Sequence, residues 1–198
     1  ATDSDGLSNS TLILNGQLNQ TNQSSVLNGE INNFTLTNLE DGSYIWTVNV
    51  TDPTGLTGTD IERTFYVDTQ NPFVNLSTPV EDEVLYKSIV ELNFTVTDNM
   101  DTNLICNLTI DGNVVDENFN ATNGSLTNRT VSGLNVGDHL WNISCWDDAN
   151  WLNTSETWNF SIVDLPPTVT LVTANGTWDN DSDVTLLYNA TDNNGFSK

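Results

Sequence analysis

The chain is short of positive charge. Its 198 residues carry four basic side chains, Arg63, Lys87, Arg129 and Lys198, against 27 acids, for a formal net charge of −23. The acid content is ordinary, so the imbalance comes from missing cations, and Asn, Thr and Ser fill the polar positions instead. Phosphate backbones are neutralised by clustered Lys and Arg, so this composition excludes a nucleic-acid partner. A single histidine, His139, and two cysteines, Cys106 and Cys145, leave little material for nucleophilic catalysis. Paired acids such as Asp147 and Asp148 would suit glycoside hydrolysis only in a cleft, and they fall in a loop, so a non-enzymatic role is expected. No apolar run approaches the roughly 20 residues that span a bilayer, and no charged-then-apolar secretory start is present. Any export signal or anchor is expected outside this stretch.

What the chain does contain is repetition. Ala1-Thr2-Asp3-Ser4-Asp5-Gly6-Leu7-Ser8 returns as Ala190-Thr191-Asp192-Asn193-Asn194-Gly195-Phe196-Ser197, with Val96-Thr97-Asp98-Asn99-Met100-Asp101 between them, at offsets of 95 and 94 residues. A period of that length matches one small all-β sandwich with its own core, which needs no cofactor to fold. The local pattern agrees. Apolar residues alternate at Val74/Leu76, Val90/Leu92/Phe94/Val96, Leu104/Cys106/Leu108/Ile110, Trp141/Ile143/Cys145 and Trp158/Phe160/Ile162, and more weakly over Leu126 to Leu134. Period two over short runs predicts half-buried strands. Asp111-Gly112, Asn123-Gly124 and Val136-Gly137-Asp138 supply the turns. Nothing reads as a helix. The same order recurs before residue 70, at Leu12/Leu14, Phe34/Leu36, Tyr44 to Val50 and Phe65 to Asp68, and its first two strands reappear only at Val169/Leu171 and Val184/Leu186/Tyr188/Ala190.

The string Leu39-x-x-Gly42-x-Tyr44-x-Trp46-x-Val48-x-Val50-x-Asp52, followed by Phe65-x-Val67-Asp68 and Pro72-x-Val74-x-Leu76, resembles the tandem immunoglobulin-like repeats of prokaryotic surface proteins, with archaea the expected source. The resemblance implies an all-β chain of tandem immunoglobulin-like (fibronectin-III-like) β-sandwiches, about 95 residues per repeat. It divides the sequence into a partial domain over 1–70 (strands C to G), a complete one over 71–165, and strands A and B of a third over 166–198. The duplicated B–C loop at both ends is expected of an excerpt from a longer array. The other reading is a filament subunit whose terminal A and B strands complete its neighbour head to tail. Tyr44 sits where such sandwiches carry a tyrosine corner, and His139 takes its place in the central unit.

Cys106 and Cys145 take inward phases on strands that neighbour each other in an immunoglobulin sheet, and align with Ser10 and Val50 of the first unit. Joint loss is what a bonded pair predicts, although two buried free thiols remain the alternative. A bond implies an oxidising, extracellular location. Glycosylation triplets begin at Asn9, Asn19, Asn22, Asn33, Asn49, Asn75, Asn93, Asn107, Asn120, Asn123, Asn128, Asn142, Asn153, Asn159, Asn175, Asn180 and Asn189, more than twice the about 6.5 that 30 Asn and 43 Ser plus Thr give by chance. Strand alternation inflates that excess, yet those in turns still exceed expectation. Covalent N-glycans and neighbouring copies of the repeat are thus the expected partners at a cell surface.

In an immunoglobulin sandwich the B–C and F–G loops share one pole. Asp98 and Asp101 with Asp147 and Asp148, and Asp68 from the preceding strand G, are the candidate ligands for Ca²⁺ at an inter-domain junction, which accepts 6–8 oxygens in flexible geometry. A second junction would use Asp164, Asp192, Asp138 and the Glu81-Asp82-Glu83 run. Solvated turn acids are the plainer reading. An adhesin or carbohydrate-binding module, gripping host or surface glycans through outward Trp146 and loop Trp151, is the main functional alternative, while Trp46, Trp141 and Trp158 are expected in the core.

Overall fold

The computed structural model describes residues 3–22, 26–87, 89–173, 176, 178 and 185–192. Those residues form strands and no helix. The chain divides into two compact units, Ala1–Thr69 and Gln70–Lys198.

The first unit contains β1 (Asn9–Leu14), β2 (Gln17–Asn22), β3 (Gly42–Thr51), β4 (Thr57–Thr59) and β5 (Arg63–Val67). They make one sheet in the order β2-β1-β3-β4, with β5 also paired to β3. The second unit contains β6 (Phe73–Thr78), β7 (Glu83–Leu85), β8 (Ile89–Thr97), β9 (Asn103–Ile110), β10 (Asn113–Thr122), β11 (Leu126–Ser132), β12 (Gly137–Trp146), β13 (Leu152–Thr154) and β14 (Trp158–Ile162). One sheet runs β10-β9-β12-β14-β7 with β13 on β12, and the other β11-β8-β6. A two-stranded ribbon, β15 (Thr168–Leu171) with β16 (Tyr188–Thr191), follows in the same unit.

Alternation fixes which face of each strand is buried. Along β8 the even-numbered Val90, Leu92, Phe94 and Val96 are fully buried, and Leu104, Cys106 and Leu108 on β9 and Trp141, Ile143 and Cys145 on β12 meet them from the other sheet. The Trp141 ring packs edge-on to Trp158, 6.3 Å between centroids. The core therefore lies between two sheets, and each inward aromatic or aliphatic side chain stabilises it by about 1.5–3 kcal/mol. Hairpin chemistry sets the register. Asp111 and Gly112 have φ of 51° and 77°, as a two-residue turn of the primed type requires, and Asn15 and Gly16 repeat it at 50° and 74°.

The pairings of the two units coincide. In β1–β3, Ser10, Leu12 and Leu14 face Val50, Val48 and Trp46; in β9–β12, Cys106, Leu108 and Ile110 face Cys145, Ile143 and Trp141. The expected strand at Phe34/Leu36 is absent: residues 31–37 have no ladder. Their counterpart β11 is held by β8, and no strand equivalent to β8 or β6 occurs among the described residues of the first unit. Trp46, expected in the core, is only half-buried for the same reason, whereas Trp141 is wholly buried. Parts of the duplicated opening, Ala1, Thr2 and 193–197, and Val184 lie outside the described residues.

Candidate functional site

Three groups of side chains stand out: a corner at the start of β12, a pole of acidic loops in the second unit, and an uncovered apolar face in the first.

The corner begins as a tyrosine. Tyr44 Oη donates to the Glu40 carbonyl at 2.8 Å, and its ring stacks on Phe65 at 5.2 Å. His139 performs both tasks in the second unit, with Nε2 2.8 Å from the Asn135 carbonyl and the ring 5.5 Å from Phe160. It adds a partner, since Nδ1 lies 2.7 Å from Asp111 Oδ2. Asp111 Oδ1 meanwhile accepts from Leu140 N at 2.9 Å, and the first unit places Asn15 there, accepting from Ile45 N at 2.9 Å. A neutral Asn/Tyr pair has thus become an Asp/His pair. Both ring nitrogens of His139 face oxygen acceptors, and an imidazole donating from both is an imidazolium. Burial pulls the His139 pKa down, but the bonds to Asn135 and Asp111 and the charges of Asp111 and Asp138 outweigh it and raise it above the usual histidine range. Burial likewise raises Asp111, and the His139 and Leu140 hydrogen bonds outweigh it and hold its carboxyl below the usual range.

Acidic loop residues of the second unit organise their own backbone. Asp98 Oδ1 accepts from Met100 N at 2.8 Å and Asp101 N at 3.1 Å, and Asn123 Nδ2 ties the loop by donating to the Asp98 carbonyl at 2.7 Å. Asp147, 6 % exposed, accepts from Trp151 N at 2.7 Å. The first unit repeats this frame with Asp3, Asn28 and Asp52: Asn28 Nδ2 donates to the Asp3 carbonyl at 2.6 Å, and Asp52 Oδ1 accepts from Leu56 N at 2.9 Å. Burial raises Asp52, but bonds from the Thr54 hydroxyl and the Leu56, Thr54 and Gly55 amides outweigh it and keep its carboxyl below the usual range.

The second unit adds two acids to that frame, Asp101 and Asp148, where the first has Gly6 and Pro53. Asp98, Asp101 and Asp147 each offer a carboxylate oxygen within 4.8 Å of the others, and Asp98 Oδ2 is buried and accepts no hydrogen bond from the described residues. Burial and the negative charges of Asp148 and Asp98 raise the Asp101 pKa, against an opposing bond from Asp148 N at 3.3 Å. Three converging hard oxygens fit Ca²⁺ in kind, with further ligands needed for its usual six to eight. Asp148 is exposed, and Asp68 is a half-buried residue of the first unit. Of the second expected group, Asp138 accepts from Ser161 Oγ at 2.5 Å, Glu81 from Asn159 N at 2.9 Å and Glu83 from Val80 N at 2.8 Å, which are local ties.

Cys106 and Cys145 form a disulfide between directly paired residues of β9 and β12, both fully buried. Trp146 is half-buried and Trp151 is 44 % exposed. Among the glycosylation triplets, Asn19, Asn33, Asn75, Asn120, Asn128 and Asn189 are exposed, and Asn9, Asn22, Asn49, Asn93, Asn107, Asn123, Asn142, Asn153 and Asn159 are half-buried. Nδ2, the atom a glycan bonds, is engaged on Asp98 O by Asn123, on Pro72 O by Asn153, on Thr157 Oγ1 by Asn142, on Thr78 Oγ1 by Asn93 and on Asn93 Oδ1 by Asn128. Asn175 and Asn180 lie outside the described residues.

In the first unit, Leu12, Phe34, Leu36, Trp46, Val48 and Phe65 line a cavity of about 1010 Å³. Their counterparts in the second unit that lie on β9, β12 and β14, namely Leu108, Trp141, Ile143 and Phe160, are fully buried.

Two packed sheets with this strand order and corner define an immunoglobulin-like sandwich. Residues 29–132, just over half the chain, match the family described as bacterial Ig-like domain (group 3), and the chain belongs to that family. No curated protein matches. Among solved structures, the fibronectin(III)-like modules of CbhA from Clostridium thermocellum are similar at 14 % identity and a TM-score of 0.43, over 82 % of this chain and 81 % of that one. Dimeric latent PorU from Porphyromonas gingivalis is similar at 13 % identity and a TM-score of 0.36, with 82 % of this chain covering 17 % of that chain.

Proposed function

We propose that this chain is a non-enzymatic repeat segment of an extracellular surface filament or stalk, carrying N-glycans on the outer faces of its sandwiches. The observation behind this reading is one register built twice: the β1–β3 and β9–β12 pairings coincide residue by residue, as a stack of like modules would require. The buried Cys106–Cys145 bond supports an oxidising compartment. Asn19, Asn33, Asn75, Asn120 and Asn189 carry the glycans, because they are exposed and their Nδ2 is not tied up by the described residues. The reading includes one ion, Ca²⁺ against Asp98, Asp101 and Asp147, which would relieve the repulsion among their charges. Glycopeptide mass spectrometry of native material tests the coat: modification at Asn19, Asn33, Asn75, Asn120 and Asn189 with Asn123 bare is expected, and bare asparagines throughout would sink it.

A further inference from the structure

One apolar stripe crosses an otherwise polar face of the second unit. On the outward side of the sheet that holds β10, β9, β12 and β13, direct pairing sets Asn120 against Ile105, Ile105 against Trp146 and Trp146 against Leu152. Directly paired residues of antiparallel strands share a face, so the four side chains stand in a row. Ile105 is 40 % and Leu152 45 % exposed, with Trp146 half-buried between them. The neighbouring row, Asn107, Ser144 and Thr154, is polar, and the Ser144 and Thr154 hydroxyls lie 2.8 Å apart. The fold itself does not call for the stripe. In the first unit its counterparts are Asn9, Thr51 and Thr57, paired in the same register, with the two Thr hydroxyls 3.0 Å apart. The second unit thus carries apolar side chains where the first has hydrogen-bonding ones, in a row that ends on a glycosylation triplet whose Asn120 and Thr122 are both exposed.

We propose that Ile105, Trp146 and Leu152 form the seat of the glycan on Asn120, which folds back along the row and lies against the Trp146 ring. The proposal rests on the surface-glycoprotein reading and deepens it by fixing where one glycan lies. Its ligand is a covalently held chain of pyranoses. The negative face of an indole attracts the polarised C–H bonds of a sugar ring, and the flanking Ile and Leu side chains extend the apolar contact. Reach is not limiting, because Trp146 stands two strand spacings from Asn120, about 10 Å, within the first few sugars of a glycan. Asn120 Nδ2 is not engaged by the described residues, so its bond to the first sugar displaces none of them. Tethering favours this occupant over a free saccharide, since a short link holds it at an effective concentration of about millimolar.

The test compares the glycoprotein from its native host with Asn120→Gln, Trp146→Thr and the double variant made in the same host. Trp146→Thr copies Thr51 of the first unit, a residue the same strand pairing already accommodates. Hydroxyl-radical footprinting reads oxidation of Trp146 by mass spectrometry, with Trp178, 97 % exposed, as the internal reference. Oxidation of Trp146 relative to Trp178 should rise severalfold in Asn120→Gln. Losing the glycan should also lower Tm by about 4 °C in the parent, the loss of one aromatic contact, and leave it unmoved in the Trp146→Thr background. Equal oxidation with and without the glycan overturns the seat, as do equal falls in Tm in both backgrounds. So does a bare Asn120 in material whose other asparagines are modified. Each of these leaves the glycan coat standing, whereas bare asparagines throughout sink both.

Discussion

Raising the pH should loosen the second unit at one identifiable point. His139 is 7 % exposed, with Nδ1 2.7 Å from Asp111 Oδ2 and Nε2 2.8 Å from the Asn135 carbonyl oxygen, so the protonated ring donates to both. A neutral ring keeps one N–H, and its other nitrogen then points a lone pair at an oxygen. Losing a charge-assisted bond costs about 1.5–3 kcal/mol, but the Asp111 side chain is 44 % exposed, so screening brings the expected figure to about 1 kcal/mol. In a domain of this size that is a fall in Tm of about 4–8 °C. The sign follows from linkage. The His139 pKa is raised in the folded state, so its contribution is full below the ordinary histidine value and lost as pH climbs through the folded value. The Asp111 pKa is lowered, so its contribution is full above the ordinary carboxyl value of 3.8 and lost as pH falls through the folded one. The corner is strongest between the two.

His139 is the chain's single histidine, so one imidazole resonance in an NMR titration reports it without assignment. The expected midpoint lies above that of a histidine peptide, with both nitrogens protonated below it. The double substitution Asp111→Asn with His139→Tyr installs the first unit's neutral pair and should flatten the dependence of Tm on pH over this range. A midpoint at or below the peptide value, or an unprotonated nitrogen on its acid side, would refute the reasoning.

Cys106→Ser with Cys145→Val, which copies Ser10 and Val50, should lower the stability of the second unit by about 2–4 kcal/mol in urea denaturation; an unmoved midpoint would show that the bond constrains nothing. Asp101 has a raised folded pKa, so it favours folding below 3.8 and loses that contribution as pH rises through the folded value, leaving a deficit at neutral pH. Asp101→Asn should therefore stabilise the chain at pH 7 by about 0.5 kcal/mol, and Ca²⁺ should raise the Tm of the parent more than that of the variant. Equal Tm values with Ca²⁺ and with EDTA in the parent would remove the ion from the reading.

Period-two alternation located β6, β8, β9, β12 and β14 because each buries one face against the opposite sheet. It missed β10, where register shifts between Val114/Asp116 and Asp116/Phe119 and a φ of 55° at Asn118 break the alternation. The signal there lay in Arg129, which pairs with Asp116 and sits 4.3 Å over the Phe119 ring. The expected strand at Phe34/Leu36 has suitable residues and lacks a neighbour; pairing is long-range information that a local pattern does not carry. The role of His139 was written in two places at once, Tyr44 to His139 and Asn15 to Asp111, and only aligning the hairpin turn with the strand beside it joins them. Asp147 looked like a solvated turn residue, whereas it is buried as the anchor of its loop, as Asp52 is in the first unit.

The Cys106–Cys145 bond also limits how far the second unit can stretch. The two residues are 39 apart in sequence, and the strands β10 and β11 lie between them. When tension unravels the unit, that loop stays shut, withholding about 130 Å of extended chain. The first unit, with Ser10 and Val50 in those places, has no such stop. Under load the two would release unequal lengths, making one module a shock absorber and the other a short, covalently limited link.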